Sequence, residues 1–294
     1  MPDRLTANRP SVSVVIVTRG RPELLRACLQ SCAAQDYPDL EVVVVLNPDE
    51  PSSAAVIREA APRARVIRTH RNLGFFPALN LAIANADGEF IMTVDDDSRF
   101  LSPEVISRMV TAFISEPELG ALTCNVEGPS ELPLEPEDRY VHLFRTGFTM
   151  VAKKTFTHDI GFYPDLFFRS AGETFLATGL WDRGQRVKCL AGVRMYHDLA
   201  MTGRSSDDWW FHGLRSQLLC AVIREPFLVL PGSLGSKFFK SLATFARGGH
   251  LGIWMRAWSS FMVHLPECLA QRRPISWRTR QLMDRLKNER VTTL

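Results

Sequence analysis

The sequence predicts an α/β chain, a mixed and mainly parallel sheet flanked by helices, with a helical C-terminal extension. Three observations carry this. Short β-branched or apolar runs alternate with amphipathic segments over residues 11–126, the rhythm that builds a parallel sheet covered on both faces. Three consecutive aspartates, Asp95, Asp96 and Asp97, follow directly on one of those runs. The final segment turns helical and basic: residues 236–294 hold 11 Lys+Arg against 3 Asp+Glu, net +8, whereas the rest of the chain is net −5.

The elements follow in order. Residues 11–17, with Val12, Val14, Val15, Ile16 and Val17, read as a buried strand. Pro22 opens a helix, because its fixed φ and missing N–H suit a first helical turn, and Leu24, Leu25, Cys28, Leu29 and Cys32 share one face of it. Strand 41–46, helix 52–61, strand 65–68 and helix 77–86 come next. An Asp87-Gly88 turn leads into strand 89–94. Helix 103–115 and strand 121–126 complete the first half. Residues 127–138, rich in Pro and Glu, read as a loop. Strands are expected at 148–152 and 187–196, then helices at 209–223 and 238–263. Residues 277–289 form a basic amphipathic helix with Leu282, Met283 and Leu286 apolar.

The chain has 294 residues, 46% of them hydrophobic and 23% charged, an ordinary globular composition with room for one large domain or two smaller ones. Its net charge of +3 gives no reason to expect nucleic acid as a partner. The six cysteines are scattered without a CxxC pair, so buried thiols in a reducing cytosol are expected rather than a disulfide framework. Residues 1–10 lack the apolar core of a signal peptide. The longest candidate for a membrane span, 251–265, is interrupted by Arg256 and His264. A cytoplasmic chain is therefore expected, free or peripheral at the inner face of a membrane.

The aspartate triplet carries the chemistry. Carboxylates packed this closely repel and raise one another's pKa, and a hard cation such as Mg²⁺ or Mn²⁺, completed by substrate phosphates, relieves that repulsion. The alternative is a solvated acidic turn. In a parallel sheet ligands bind at the C-terminal strand ends. Thr18, Arg19, Asn47 and the aspartates all fall on that edge.

Five features come in sequence: the opening strand with Arg19-Gly20-Arg21-Pro22; Asn72-Leu-Gly74 with Asn80; the Asp95–Asp97 triplet; Phe167-Phe168 with Gly172-Glu173, eleven residues before Gly184; and Tyr196-His197-Asp198. In this order and at these spacings the chain resembles the family 2 glycosyltransferases over residues 12–226. The resemblance implies the Rossmann-like GT-A fold. It also implies a nucleotide-sugar donor, a hydroxyl acceptor, a divalent metal and inverting transfer.

On that resemblance Asp95 and Asp97 are the two ends of a DxD motif, and His197 is a late metal ligand. Asp97 is the direct ligand, with Asp95 reaching the metal through water or binding ribose and Asp96 between them. Glu173 is the general base, although Gly172 stands where the family usually has a first acidic residue. Thr18, Arg19, Arg21, Asn47, Asn72 and Gly74 line the nucleotide. Asn47 replaces the family's usual base-reading Asp, with Asp49 as the other residue in reach. Residues 209–215 are similar to an aromatic-Arg stretch of rhamnosyltransferase-like members, which favours a dTDP- or UDP-sugar. These aromatics either stack on the sugar or form the core side of a helix.

The implied division is a tail at 1–10, a nucleotide-sugar-binding half at 11–126, an acceptor-binding and catalytic half at 127–226, and a helical basic extension at 227–294. The extension either rests on anionic lipid or packs its apolar stripe on the domain. Two competitors stand beside this reading. A nucleotidyltransferase also uses carboxylate-bound metal, but normally has a longer Gly-rich loop after its first strand. A non-catalytic sugar-nucleotide binder would bind without turnover.

Overall fold

The computed structural model describes residues 9–129, 133–198 and 205–294. Most of the N-terminal tail and part of the 127–138 loop lie outside the described residues.

The first half alternates as the apolar runs dictate: β1 (Val12–Thr18), α1 (Pro22–Ala33), β2 (Leu40–Leu46), α2 (Pro51–Ala60), β3 (Arg65–Arg68), α3 (Phe75–Ala84) and β4 (Phe90–Asp95). Strands β3, β2, β1 and β4 lie side by side, all parallel. Val12, Val14, Val15 and Ile16 of β1 and Val43 to Leu46 of β2 are fully buried, as expected for strands covered on both faces. The register sets Thr18 opposite Leu46 and Val17 opposite Asp95, so the ends of β1, β2 and β4 share one edge.

Beyond β4 the sheet becomes mixed. β5 (Ser98–Phe100), α4 (Val105–Ser115), β6 (Leu119–Glu127), β7 (Arg139–Tyr140) and β8 (Phe148–Ala152) follow, and after a single π-helical turn at Thr155–Asp159 come α5 (Gly172–Asp182) and β9 (Arg186–His197). β8 runs antiparallel between β4 and β6, and β6 is parallel to β9. The short β5 closes the sheet on the far end of β9 and sets Ser98 opposite His197. That pairing brings the chain just after the aspartates back to a histidine a hundred residues on. Neither β5 nor β7 is predicted above, since strands this short leave no alternation to read.

Four helices follow: α6 (Ser206–Arg224), α7 (Leu230–Arg247), α8 (Leu251–Ala270) and α9 (Trp277–Asn288). The single helix expected over 238–263 is two. The chain breaks at Gly248-Gly249, where Gly249 has φ +74°, a left-handed conformation that favours glycine. α9 turns Met283 and Leu286 into the protein. All six cysteines are free and buried.

Candidate functional site

At the end of β4 the Asp95 and Asp97 carboxylates meet His197, and one ligand atom from each residue lies within 4.8 Å of the others. His197 Nε2 is 3.4 Å from Asp97 Oδ1, and both residues are buried. The β5–β9 pairing holds this geometry, reinforced by the Asp198 N–H donating to the Asp97 carbonyl at 2.8 Å. Arg99 then binds the Asp198 carboxylate at 2.6 Å. Two carboxylates and an imidazole make a donor set suited to Mg²⁺ or Mn²⁺. Asp95 is seated by Gly147, where φ is +97° and an added β-carbon would lie 2.5 Å from the Asp95 carboxyl carbon. The His197 ring packs edge-on against Phe148, with Arg145 Nη2 3.4 Å from its Nδ1.

Asp96 points elsewhere. It accepts from Thr18 Oγ1 at 2.7 Å and from Arg21 Nη2, while Arg21 Nη1 donates to Asp97 Oδ2 at 2.6 Å. One guanidinium thus spans two buried carboxylates. Burial pushes the Asp96 carboxyl above its ordinary pKa, with the Arg21 charge and the Thr18 hydrogen bond pulling back. Arg21, assigned above to the nucleotide edge, is turned onto the aspartates. Arg19 is exposed at the cleft.

Asn47 is the hub of the 69–74 loop. Its side-chain carbonyl accepts from the Leu73 N–H at 2.8 Å, and its amide donates to the Gly74 carbonyl at 2.9 Å and to Asn72 Oδ1 at 3.3 Å. Asn72 Oδ1 in turn accepts from the Gly74 N–H at 3.0 Å. Gly74, at φ +91°, abuts Phe168, which a β-carbon would approach to 2.6 Å. Asp49 binds Arg68 at 2.5 Å. Asn80 clasps the Tyr163 backbone, donating at 2.8 Å and accepting at 3.1 Å.

Glu173 stands in the first turn of α5. Ser170 and Ala171 before it both have positive φ, 64° and 67°, conformations that non-glycine residues hold only when their surroundings enforce them. α6 supplies that enforcement: Ser216 Oγ donates to the Arg169 carbonyl at 2.7 Å, Arg215 Nη1 to the Leu166 carbonyl at 3.1 Å, and His212 stacks on Phe168 at 4.2 Å. Glu173 keeps a little exposure but is densely surrounded. Burial raises its carboxyl above the ordinary range, and Thr146 and the Arg145 charge offset this in part.

These pieces line one cleft of about 1200 Å³. Ten of the eleven predicted site residues face it: Thr18, Arg19, Arg21, Asn47, Asn72, Gly74, Asp95, Asp96, Glu173 and His197. Asp97 is not among the lining residues but reaches His197, which is, at 3.4 Å. Among the lining residues that the sequence reading does not single out are Arg145 and Thr146, and His212 of the aromatic stretch joins them. The only local signal for Arg145 and Thr146 is a Thr-Gly pair before a strand. The aromatic stretch divides. Trp209 is half-exposed at the cleft, whereas Trp210 packs edge-on against Phe245 and Phe211 faces Arg256.

A mixed, mainly parallel sheet flanked by helices, with a cleft at its strand ends, is the architecture of GT-A glycosyltransferases. S. aureus TarS 1-349 in complex with UDP-GlcNAc is similar over 94% of this chain and 87% of its own, with a TM-score of 0.64 at 18% identity. The mannosyltransferase PcManGT from Pyrobaculum calidifontis, in complex with GDP-Man and Mn²⁺, is similar over 95% and 85%, with a TM-score of 0.60 at 18% identity. Residues 13–173 match Glycosyl transferase family 2, and the chain belongs to that family. It is 24% identical over 237 residues to the O-antigen biosynthesis protein RfbC of Myxococcus xanthus, a match that takes in 68% of this chain and spans 18% of that protein's length. Among the described residues no helix is long and apolar enough to cross a membrane.

Proposed function

We propose that this chain transfers a sugar from a nucleotide-diphosphate sugar, a dTDP- or UDP-sugar being favoured, to an acceptor hydroxyl on a glycan, a lipid-linked intermediate or a small natural product, with inversion at the anomeric carbon. One observation carries the reading: an Asp95, Asp97 and His197 cluster with ligand atoms within 4.8 Å shares a cleft with Glu173, whose carboxyl is raised by burial. The UDP-GlcNAc bound to TarS and the GDP-Man and Mn²⁺ bound to PcManGT support a nucleotide-sugar donor and a divalent ion here.

Asp95, Asp97 and His197 would hold a divalent ion, which would supply Lewis-acid neutralisation of the departing nucleoside diphosphate. Glu173 takes the proton from the acceptor hydroxyl as that oxygen attacks opposite the leaving phosphate. Its raised pKa suits it, because a base nearer the working pH both accepts and later releases the proton readily. Thr18 and Arg19 face the nucleotide. Asn47 acts on the base by shaping the Asn72-Gly74 turn. Arg21 keeps Asp96 and Asp97 together. The nucleotidyltransferase alternative wants a Gly-rich loop for a triphosphate after β1, but here that link is short and Arg21 is engaged by the two aspartates.

The test is a titration of the protein with UDP-, dTDP- and GDP-sugars, with Mn²⁺ or with EDTA, alongside Asp97→Asn. Metal-dependent binding of one donor, lost in the variant, and release of nucleoside diphosphate on turnover are expected. Release of pyrophosphate, or binding indifferent to both EDTA and Asp97→Asn, overturns the reading.

A further inference from the structure

We propose that the α7–α8 hairpin and the Phe227-Leu228 tip before it dock this protein on the surface of an anionic bilayer. A helix packed on a globular domain ordinarily turns an apolar stripe inward and a polar face to water. α8 breaks that rule. Ile253, Ala257, Phe261 and Cys268 are buried against the protein, yet Leu251, Met255, Met262 and Leu269 are 44%, 57%, 56% and 52% exposed. Their spacing of four, seven and seven residues places them on one outer face. α8 is therefore apolar on two sides, and among the described residues only one of them is covered. Earlier in the same segment, Phe227 and Leu228 are 78% and 90% exposed, and Phe239 of α7 is 71% exposed. Single apolar residues on a surface are ordinary, but this many in one segment mark an interaction face.

The charge of the segment selects the occupant. Residues 227–273 hold six Lys+Arg and a single acidic residue, Glu267. Lys240 and Arg247 on α7 are exposed and pair with no carboxylate among the described residues. Exposed Phe, Leu and Met interspersed with exposed cations in one segment, on helices neither long nor apolar enough to cross a membrane, have the make-up of an element that lies in the headgroup region of anionic lipid. α9 differs, although it is the more obviously basic helix. Its Met283 and Leu286 are buried, Arg280 and Arg285 pair with Glu225 and Glu289, and Arg290 just beyond it pairs with Glu135. The docking face is thus not the one that the run of basic residues suggests.

The same extension lines one end of the cleft, through Lys237, Arg280 and Lys287. If the chain transfers sugar as proposed above, an acceptor carried on a phosphate-bearing lipid enters there from the docked surface. The docking itself does not depend on that reading.

The experiment is flotation of the full chain with vesicles of phosphatidylcholine, with and without phosphatidylglycerol, beside sedimentation velocity without lipid. Wild type floats with the anionic vesicles and is released by salt. Phe227→Ser/Leu228→Ser and, separately, Lys240→Glu/Arg247→Glu lower binding by about tenfold or more. All four positions are exposed, so unchanged melting temperatures certify that the variants are folded. Failure of wild type to float, or flotation of both double variants like wild type, overturns the proposal. So does a lipid-free dimer that Phe227→Ser/Leu228→Ser dissociates, since the face then belongs to a second copy.

Discussion

Phe76 fills the space beside the Gly172 α-carbon: a β-carbon there would come within 3.0 Å of three atoms of the ring. Phe76 is itself fully buried in α3 and packs on Tyr163 at 4.6 Å between centroids, so it has nowhere to retreat. This explains why a glycine stands where the family usually has a first acidic residue, and leaves Glu173 as the only carboxylate at the start of α5. Gly172→Ala overpacks the contact and is expected to destabilise the protein by about 1–3 kcal/mol. It also moves Glu173, so turnover falls while donor binding is retained. A denaturant melt and a donor titration on one preparation check this, and wild-type stability would count against it.

Arg21 is the built-in counterion of the aspartates. Its side chain is 13% exposed, and those of Asp96 and Asp97 are 1% and 0%. Removing one member of a buried ion pair leaves uncompensated charge and typically costs about 3–5 kcal/mol. Arg21→Met is expected to lose stability on that scale, and Mn²⁺ is expected to restore more stability to this variant than it adds to wild type, because the ion then supplies charge that the guanidinium no longer does. Thermal unfolding with Mn²⁺ and with EDTA measures both quantities. Equal stabilisation of the two proteins by Mn²⁺ would show that Arg21 and the ion do not share a task.

What could be read from the sequence was what strand periodicity and motif order carry. The β-branched runs at Val12 and Val42 and the Asp95, Asp96 and Asp97 triplet locate the parallel half of the sheet and the strand-end edge on which the cleft opens. Glu173 and His197 followed from order along the chain, not from any physical signal of their own. The contacts between them were not legible. β5 is three residues long, so nothing announced that it would deliver Asp97 to His197. Arg145 and Gly147 precede a strand in an unremarkable way, and only the fold reveals one beside His197 and the other under Asp95. Asn47 was read as a group facing the nucleotide base. Its hydrogen bonds to Leu73 and Gly74 arise from a loop crossing that a single sequence does not encode locally.

Glu173 yields a prediction in which activity and stability move in opposite directions. Its carboxyl lies above the ordinary carboxylate range because burial disfavours its charge. The folded protein therefore holds this proton more tightly than the unfolded chain does. Stability from this group is fullest below the ordinary glutamate pKa of about 4.3. It falls as pH rises from there through the raised folded value, and stays lost above it. Glu173→Gln removes that loss. The variant is expected to melt at a higher temperature than wild type near neutral pH and to converge with it in acid, while its turnover drops by about 10²–10⁴-fold. In wild type the acid limb of kcat/KM is expected above the ordinary carboxylate range, since the base must ionise to act, and in the variant that limb flattens. Melting curves across pH, paired with rate profiles of the two proteins, decide it. Wild-type turnover in the variant would remove Glu173 from the chemistry, and a lower melting temperature at every pH would mean that the carboxylate is a structural anchor rather than a strained base.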